Sequence, residues 1–205
     1  MKKFIIYLAF LFVSISTYSQ NSIDSIFDFV LNDYLANRVQ TQNFYIQNRT
    51  CSIRLSNDSL FLGQLKKDTI YASQPWKDLV SAFDILNSQE DRIHKRHFNH
   101  KFISEKKRKK ESALATSKNG IMLYDPLSEW KKFQSKYTDC EGIVTLTYPS
   151  VSADNKKFML YIDFYNASEK GFGDLIFCTK QDNKWTVIKE MNFTQNLTSI
   201  IVIAH

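Results

Sequence analysis

The sequence predicts an α+β fold, in which N-terminal helices and a short hairpin precede a C-terminal antiparallel meander of four or five strands packed against the helices. Two observations carry this prediction. In the first part of the mature chain, apolar residues recur at intervals of three and four, the period of a helix buried on one face. From Glu141 onwards they alternate with polar residues, and the connections are short enough to join antiparallel neighbours.

The helices are predicted from apolar spacing and from capping residues. The first spans 23–35, where Ile23, Ile26 and Val30 fall on one face. The stretch "SQPWKDLVSAFDIL" predicts another helix, because its proline falls in the first turn, where a missing N–H costs nothing. Two further helices are predicted, one at about Gln89–Ile103 and one over "DPLSEWKKFQSKY".

The hairpin is predicted between the first two helices. "CSIRLS" and "SLFLGQL" alternate like two half-buried strands around an Asn57–Asp58 turn, and "TIYAS" has the length of a third short strand. In the C-terminal part, four strands are predicted over "GIVTLTY", "KFMLYIDFY", "DLIFCTK" and "KWTVIKEMNF". The second of them places Phe158 and Leu160 on a core face and Tyr161 and Tyr165 on a tyrosine-bearing face.

The first twenty residues have the layout of a secretory signal peptide. Lys2 and Lys3 precede the uncharged apolar run "FIIYLAFLFV", and small residues lead up to Gln20, near which cleavage is expected. The run is too short to span a bilayer, which takes about 20 apolar residues. We therefore expect an exported protein, periplasmic or extracellular, whose mature chain 21–205 is a single domain without a transmembrane segment.

The positive charge of the chain is concentrated in one segment, 92–110. It holds nine Lys or Arg and one acid, a sum of +8, whereas the whole chain carries +6 and the remainder therefore −2. The nine cationic residues are Arg92, Lys95, Arg96, Lys101, Lys106, Lys107, Arg108, Lys109 and Lys110.

This basic segment, which runs into a polar stretch at about 104–119 that we expect to be mobile, has two interpretations. It is a contact for an anionic ligand or surface, or it is a solvated, like-charged loop. Because an exported protein rarely meets nucleic acid, an anionic glycan or lipid surface is the partner expected under the first interpretation.

No metal site and no cofactor are expected. His94, His97 and His100 are spaced like ligands on a helix, but they cover a wide arc, have no carboxylate among them and are flanked by cations. The chain has only five glycines and no glycine loop that could hold a phosphate. Of its three cysteines, Cys140 and Cys178 could form a disulfide, and three unpaired, buried cysteines fit the sequence equally well.

The signal sequence ending in "YSQ", the stretch "SQEDRI" and the pattern "GIVTLTYPSVSADNKKFMLYIDFY … GFGDLIFCTKQDNKWTVIKE" resemble small uncharacterised secreted proteins of Bacteroidota-type bacteria. The likeness covers the last third of the chain best. It implies an exported compartment and an α+β fold, and it implies no activity.

Two functions from different classes remain open at this point. The first is a non-catalytic binding module, which contacts its partner through the basic segment or the tyrosine-bearing face. The second is a hydrolase-like enzyme with a cleft between the C-terminal sheet and the helices. No nucleophile elbow or zinc-protease motif occurs. The acids Asp163, Glu169 and Asp174 fall near one end of the C-terminal hairpins, but their spacing does not single them out as a catalytic pair.

Overall fold

The computed structural model describes residues 23–39, 43–48, 50–88, 93, 101–103, 131, 134–166 and 171–192. The chain divides into two compact units, one formed by Met1–Gln42 and Arg96–Phe98, the other by Asn43–Lys95 and Asn99–His205. The single domain predicted over 21–205 stays a prediction.

The first unit contains the predicted N-terminal helix, α1, which spans 23–38. Its middle, Phe29–Leu35, is π-helical, and Ala36–Arg38 forms a final α-helical turn. Ile26, Val30 and Leu35 are completely buried. The helical spacing of the apolar residues therefore predicted both the element and its buried face.

The second unit is built on a mixed sheet. Its strands are β1 (Phe44–Gln47), β2 (Lys101–Ile103), β3 (Gly142–Leu146), β4 (Ser150–Val151), β5 (Lys157–Tyr165), β6 (Phe172–Gln181) and β7 (Lys184–Asn192). Their order is β2-β1-β3-β5-β6-β7, and β4 pairs with β5 beside this path.

The C-terminal strands of this sheet are antiparallel, whereas β1 runs parallel to both β2 and β3. The connection between β6 and β7 is a two-residue turn in which Asp182 and Asn183 both have positive φ. Such a turn follows the twist of the strands that it joins. The α+β class and the antiparallel C-terminal sheet are confirmed, and the two parallel strands extend the sheet beyond the predicted meander.

Two helices, α2 (Ser59–Lys67) and α3 (Gln74–Leu86), cover one face of the sheet. The core between them contains Phe61 and Leu65 from α2, Phe83 from α3 and Phe177 from β6. Burying such a side chain contributes about 1.5–3 kcal/mol each. The packing of the C-terminal strands against helices is therefore confirmed within this unit. None of the helices in the described residues is both long and apolar enough to cross a membrane.

The predicted hairpin is wrong, because its second strand is helix α2 and the third short strand, "TIYAS", is a 3-10 turn over Thr69–Ala72. Asp58 caps α2 by accepting a hydrogen bond from the N–H of Phe61 at 2.8 Å. Phe61 and Leu65, four residues apart, turn into the core, while Leu60 is 81% exposed. The helical spacing and the cap outweigh the weak alternation.

The helix predicted at about Gln89–Ile103 is wrong at its C-terminal end, where Lys101–Ile103 forms β2. Ile93 is buried and is not helical, and the other residues of that prediction lie outside the described ones. Of the helix predicted over "DPLSEWKKFQSKY", Lys131 and residues 134–136 are helical, Tyr137 forms a bend, and the rest is outside the described part. The sequence analysis does not predict strand β1, because its four residues are all buried and do not alternate between buried and exposed.

Candidate functional site

The candidate site is formed around Lys101, a residue of the basic segment. Lys101 is the first residue of β2, an edge strand of the described sheet, and is directly opposite Tyr45 of β1. The predicted signal peptide lies outside the described residues, and so do the other predicted contact residues. Those residues are Arg92, Lys95, Arg96, Lys106, Lys107, Arg108, Lys109 and Lys110.

The ammonium group of Lys101 contacts Asp139 Oδ2 and lies 5.6 Å from the centre of the Tyr45 ring. The two charged side chains remain open to solvent, with 62% of Lys101 and 49% of Asp139 exposed. The Tyr45 hydroxyl donates a hydrogen bond of 3.0 Å to Asp139 Oδ1. Each oxygen of one carboxylate therefore has its own donor.

Asp139 is held in place by the turn that leads into β3. The N–H of Cys140 bonds the carbonyl of Tyr137 at 2.9 Å, and the N–H of Glu141 bonds the carbonyl of Asn43 at 2.7 Å. These bonds tie the turn to itself and to the start of β1. The position of the carboxylate is consequently set by backbone contacts as well as by its two donors.

The phenol ring of Tyr45 is fixed by packing. It is buried, lies in a small apolar cluster with Cys140 and Ile143, and meets the Tyr137 ring edge-on at 5.5 Å between centres. Lys136, which is exposed, has its ammonium group 5.9 Å from the centre of the Tyr137 ring. We call the five residues Tyr45, Lys101, Lys136, Tyr137 and Asp139 the Lys101 surface.

Lys101 and Asp139 each stabilise the charged form of the other. The hydrogen bond from Lys101, followed by that from Tyr45, holds the pKa of Asp139 below its usual range. Asp139 in turn raises the pKa of Lys101. Burial, and then the hydrogen bond to Asp139, raise the pKa of the Tyr45 hydroxyl. At neutral pH the carboxylate is therefore ionised, the lysine is charged and the tyrosine is a donor, and the two donors together hold the Asp139 carboxylate.

The acids considered for a hydrolase do not come together. Asp163 lies opposite Gly173, and Asp174 lies opposite Ile162, so that the two carboxylates point to opposite faces of the sheet. Asp174 is buried and accepts a hydrogen bond of 3.4 Å from Asn192. Glu169 is outside the described residues. Asp163 and Asp174 cannot flank one glycosidic bond, as the paired acids of glycosidases do.

The described cysteines are free thiols, which corrects the predicted Cys140–Cys178 disulfide and leaves the unpaired alternative. Cys178 pairs with Phe158 near the start of β5, whereas Cys140 lies just before β3, whose Ile143 pairs with Tyr165 at the end of β5. Those two ends are about 23 Å apart along the strand. A disulfide needs Cα atoms within about 7 Å of each other.

Within the described residues, no group of three or more His, Cys, Asp or Glu is placed to hold a metal ion. His94, His97 and His100 are outside those residues.

The charge pattern of the sequence predicts Lys101 as a contact residue, but it does not predict the residues around Lys101. Tyr45 is 94 positions from Asp139, and Lys101 is 38 positions from it, so that no local pattern connects them. No family model, no curated protein and no solved structure matches this chain.

Proposed function

We propose that this protein is an exported, non-catalytic binding module that holds an anionic partner, a glycan or a lipid surface, through its basic segment and the adjoining Lys101 surface. The observation that carries the proposal is the exposed position of Lys101 on an edge strand, where it already engages a carboxylate together with Tyr45.

The distribution of charge supports this function. The segment 92–110 sums to +8 and the rest of the chain to −2, or to −4 once Lys2 and Lys3 are removed with the signal peptide. At physiological ionic strength the screening length is about 8 Å, so neighbouring cations act together on a polyanion while distant acids contribute little. Such a contact releases counterions from the polyanion, and its affinity falls steeply with salt.

The proposal is tested by retention on a heparin-type resin at low salt and by the salt concentration that elutes the protein. Replacing the four lysines of the run, Lys106, Lys107, Lys109 and Lys110, by serine should leave the circular dichroism spectrum unchanged and elute the protein at lower salt. The matched control removes the same charge from four exposed lysines elsewhere. Those are Lys66, Lys67, Lys156 and Lys184. A protein that the resin does not retain, or an equal loss of retention in both variants, overturns the proposal.

Export is tested separately. Protein recovered from the periplasm or the medium of the producing cells should begin close to Asn21, as read by mass spectrometry of the N-terminal peptide. Recovery of the full-length N-terminus from the cytoplasm alone contradicts this part of the proposal.

A further inference from the structure

We infer that Asp139 is a built-in competitor for the anionic partner, and that the partner is a carboxylate-bearing polysaccharide whose acid group replaces Asp139 between Lys101 and Tyr45. The inference rests on the proposed function and names the ligand class and the regulation of the same site.

The geometry of the two donors supports a carboxylate as the ligand group. Lys101 Nζ and Tyr45 Oη approach different oxygens of Asp139, one each. This is a one-donor-per-oxygen arrangement around a planar, two-oxygen group. Because Lys101 and Tyr45 are directly opposite each other on adjacent strands, their side chains lie on the same face of the sheet. An external carboxylate in the position of the Asp139 carboxylate would receive the same two hydrogen bonds.

Because the Lys101–Asp139 ion pair is exposed, an external carboxylate can replace Asp139. Half of the Asp139 side chain and more than half of the Lys101 side chain are open to solvent. Ion pairs exposed to this degree contribute little free energy, and salt screens them. A polymer that carries many carboxylates raises their local concentration at the site as soon as one of them is bound. Such a ligand can therefore displace a single tethered aspartate.

The surroundings favour a polymer over a lipid surface. The Lys101 surface holds a second exposed cation, Lys136, and the sequence on both sides of Lys101 carries further Lys and Arg residues. A chain of uronic acids presents planar carboxylates one after another, whereas phospholipid headgroups present tetrahedral phosphates. The two donors at Asp139 already match the planar group.

The test compares Asp139→Asn with Glu141→Gln. Both remove one negative charge, and Glu141, two residues away, is exposed and paired with Asn43 Nδ2 at 3.3 Å rather than with Lys101. Binding is measured by calorimetry with polygalacturonate, dextran sulfate and phosphatidylglycerol vesicles as probes. Asp139→Asn should bind polygalacturonate about two- to fivefold more tightly than the unaltered protein, because a competing exposed ion pair is removed. Glu141→Gln should show less than half of that gain.

A second pair of variants tests whether the gain in affinity depends on Lys101. In a Lys101→Met background, Asp139→Asn should no longer tighten binding, because the cation for which both carboxylates compete is absent. Asp139→Asn keeps a side-chain oxygen for the Tyr45 hydroxyl, and its thermal unfolding should match that of the unaltered protein.

Each other outcome overturns a defined part of the inference. Equal gains in Asp139→Asn and Glu141→Gln, or a gain that persists in the Lys101→Met background, rule out the competitor role while leaving the proposed function intact. A gain seen with vesicles or dextran sulfate and not with polygalacturonate rules out the carboxylated polysaccharide. A protein that binds none of the three probes contradicts the proposed function itself, and the inference with it.

Discussion

The side-chain amide of Asn87 bonds the backbone of Tyr148 on both sides, accepting from its N–H at 2.7 Å and donating to its carbonyl at 3.0 Å. Asn87 is the C-cap of α3 and is completely buried. Its amide also donates to the carbonyl of Phe83 at 3.1 Å, and its own carbonyl accepts from the N–H of Ile53 and the hydroxyl of Ser52. One residue thus joins the helix layer, the connection after β3 and the segment before α2.

Replacing Asn87 with alanine should lower the free energy of unfolding by about 2–4 kcal/mol. The substitution removes both bonds from Asn87 to the part-buried backbone of Tyr148, and a fully buried group that loses its bond costs about 1–3 kcal/mol. Urea unfolding followed by tryptophan fluorescence measures the change. Ser81→Ala, on the exposed side of the same helix, removes a bond to the carbonyl of Lys77 and should change the stability by less than about 0.5 kcal/mol. A similar, small loss in both variants would mean that Asn87 does not join these elements.

Asn87 also marks the limit of prediction from the sequence. The helix that ends before it was predicted over "SQPWKDLVSAFDIL", because apolar spacing and an early proline are local signals. The role of Asn87 depends on a residue 61 positions away, which no local pattern contains. Strand β1 was missed for a similar reason. Its partners, Lys101–Ile103 and Gly142–Val144, are distant in the sequence, and its uniform burial removes the alternation that identifies a half-buried strand.

The error at the hairpin has a different cause. Over "SLFLGQL" a two-residue and a three- to four-residue period can both be traced, since Leu60, Leu62 and Leu65 fit either in part. The structure selects the helix through the Asp58 cap and the burial of Phe61 with Leu65. At the candidate site, charge alone identified Lys101. The carboxylate and phenol that engage it come together only in the folded sheet.

Replacing Asp68 with asparagine should destabilise the protein by about 0.5–1 kcal/mol at pH 7 and by less at pH 2.5. Asp68 Oδ2 pairs with Lys189 Nζ at 2.7 Å, and Oδ1 accepts from the N–H of Ile70 at 3.0 Å. The hydrogen bond from Lys189, and then that from Ile70, lower the pKa of Asp68. Because the folded pKa lies below the unfolded value of about 3.9, this contribution is present above that pH and is lost as the pH falls through the folded pKa.

Urea unfolding at both pH values measures the effect, and two variants separate its causes. Asp68→Ala also removes the acceptor for Ile70 and should cost about 1 kcal/mol more than Asp68→Asn at pH 7. Asp78→Asn, on the exposed face of α3, serves as the charge control and should change the stability by less than about 0.5 kcal/mol at either pH. An unchanged effect of Asp68→Asn between pH 7 and pH 2.5 would contradict the ion pair.

The thiols should differ in their reactivity in the native protein. Cys140 and Cys178 are buried, and burial raises the pKa of Cys140 to about 11 and raises that of Cys178 as well. Cys51 is partly exposed. Since the thiolate is the reactive form, a disulfide reagent at pH 8 should modify Cys51 first and the other two only after unfolding. Ellman titration of native and denatured protein, without reductant, should approach three thiols in urea. A total of one thiol in urea would show instead that two of the three cysteines form a disulfide.

Two glycine substitutions should change the stability in opposite directions. A Cβ on Gly142, in β3, would overlap the ring of Phe164 and lie 3.3 Å from the carbonyl oxygen of Tyr165. Phe164 is buried and stacks on Phe172 at 5.8 Å between ring centres, so the ring has little room to move. Gly142→Ala should therefore lower the free energy of unfolding by about 1–3 kcal/mol.

The matched substitution is Gly63→Ala in α2, where a Cβ would meet no atom within 4 Å. Alanine is the better helix former, so this variant should be more stable by about 0.5–1 kcal/mol. Thermal and urea unfolding of both variants measure the difference. A stabilising Gly142→Ala would show that the Phe164 ring does not lie over Gly142. A destabilising Gly63→Ala would contradict the open, helical position of Gly63.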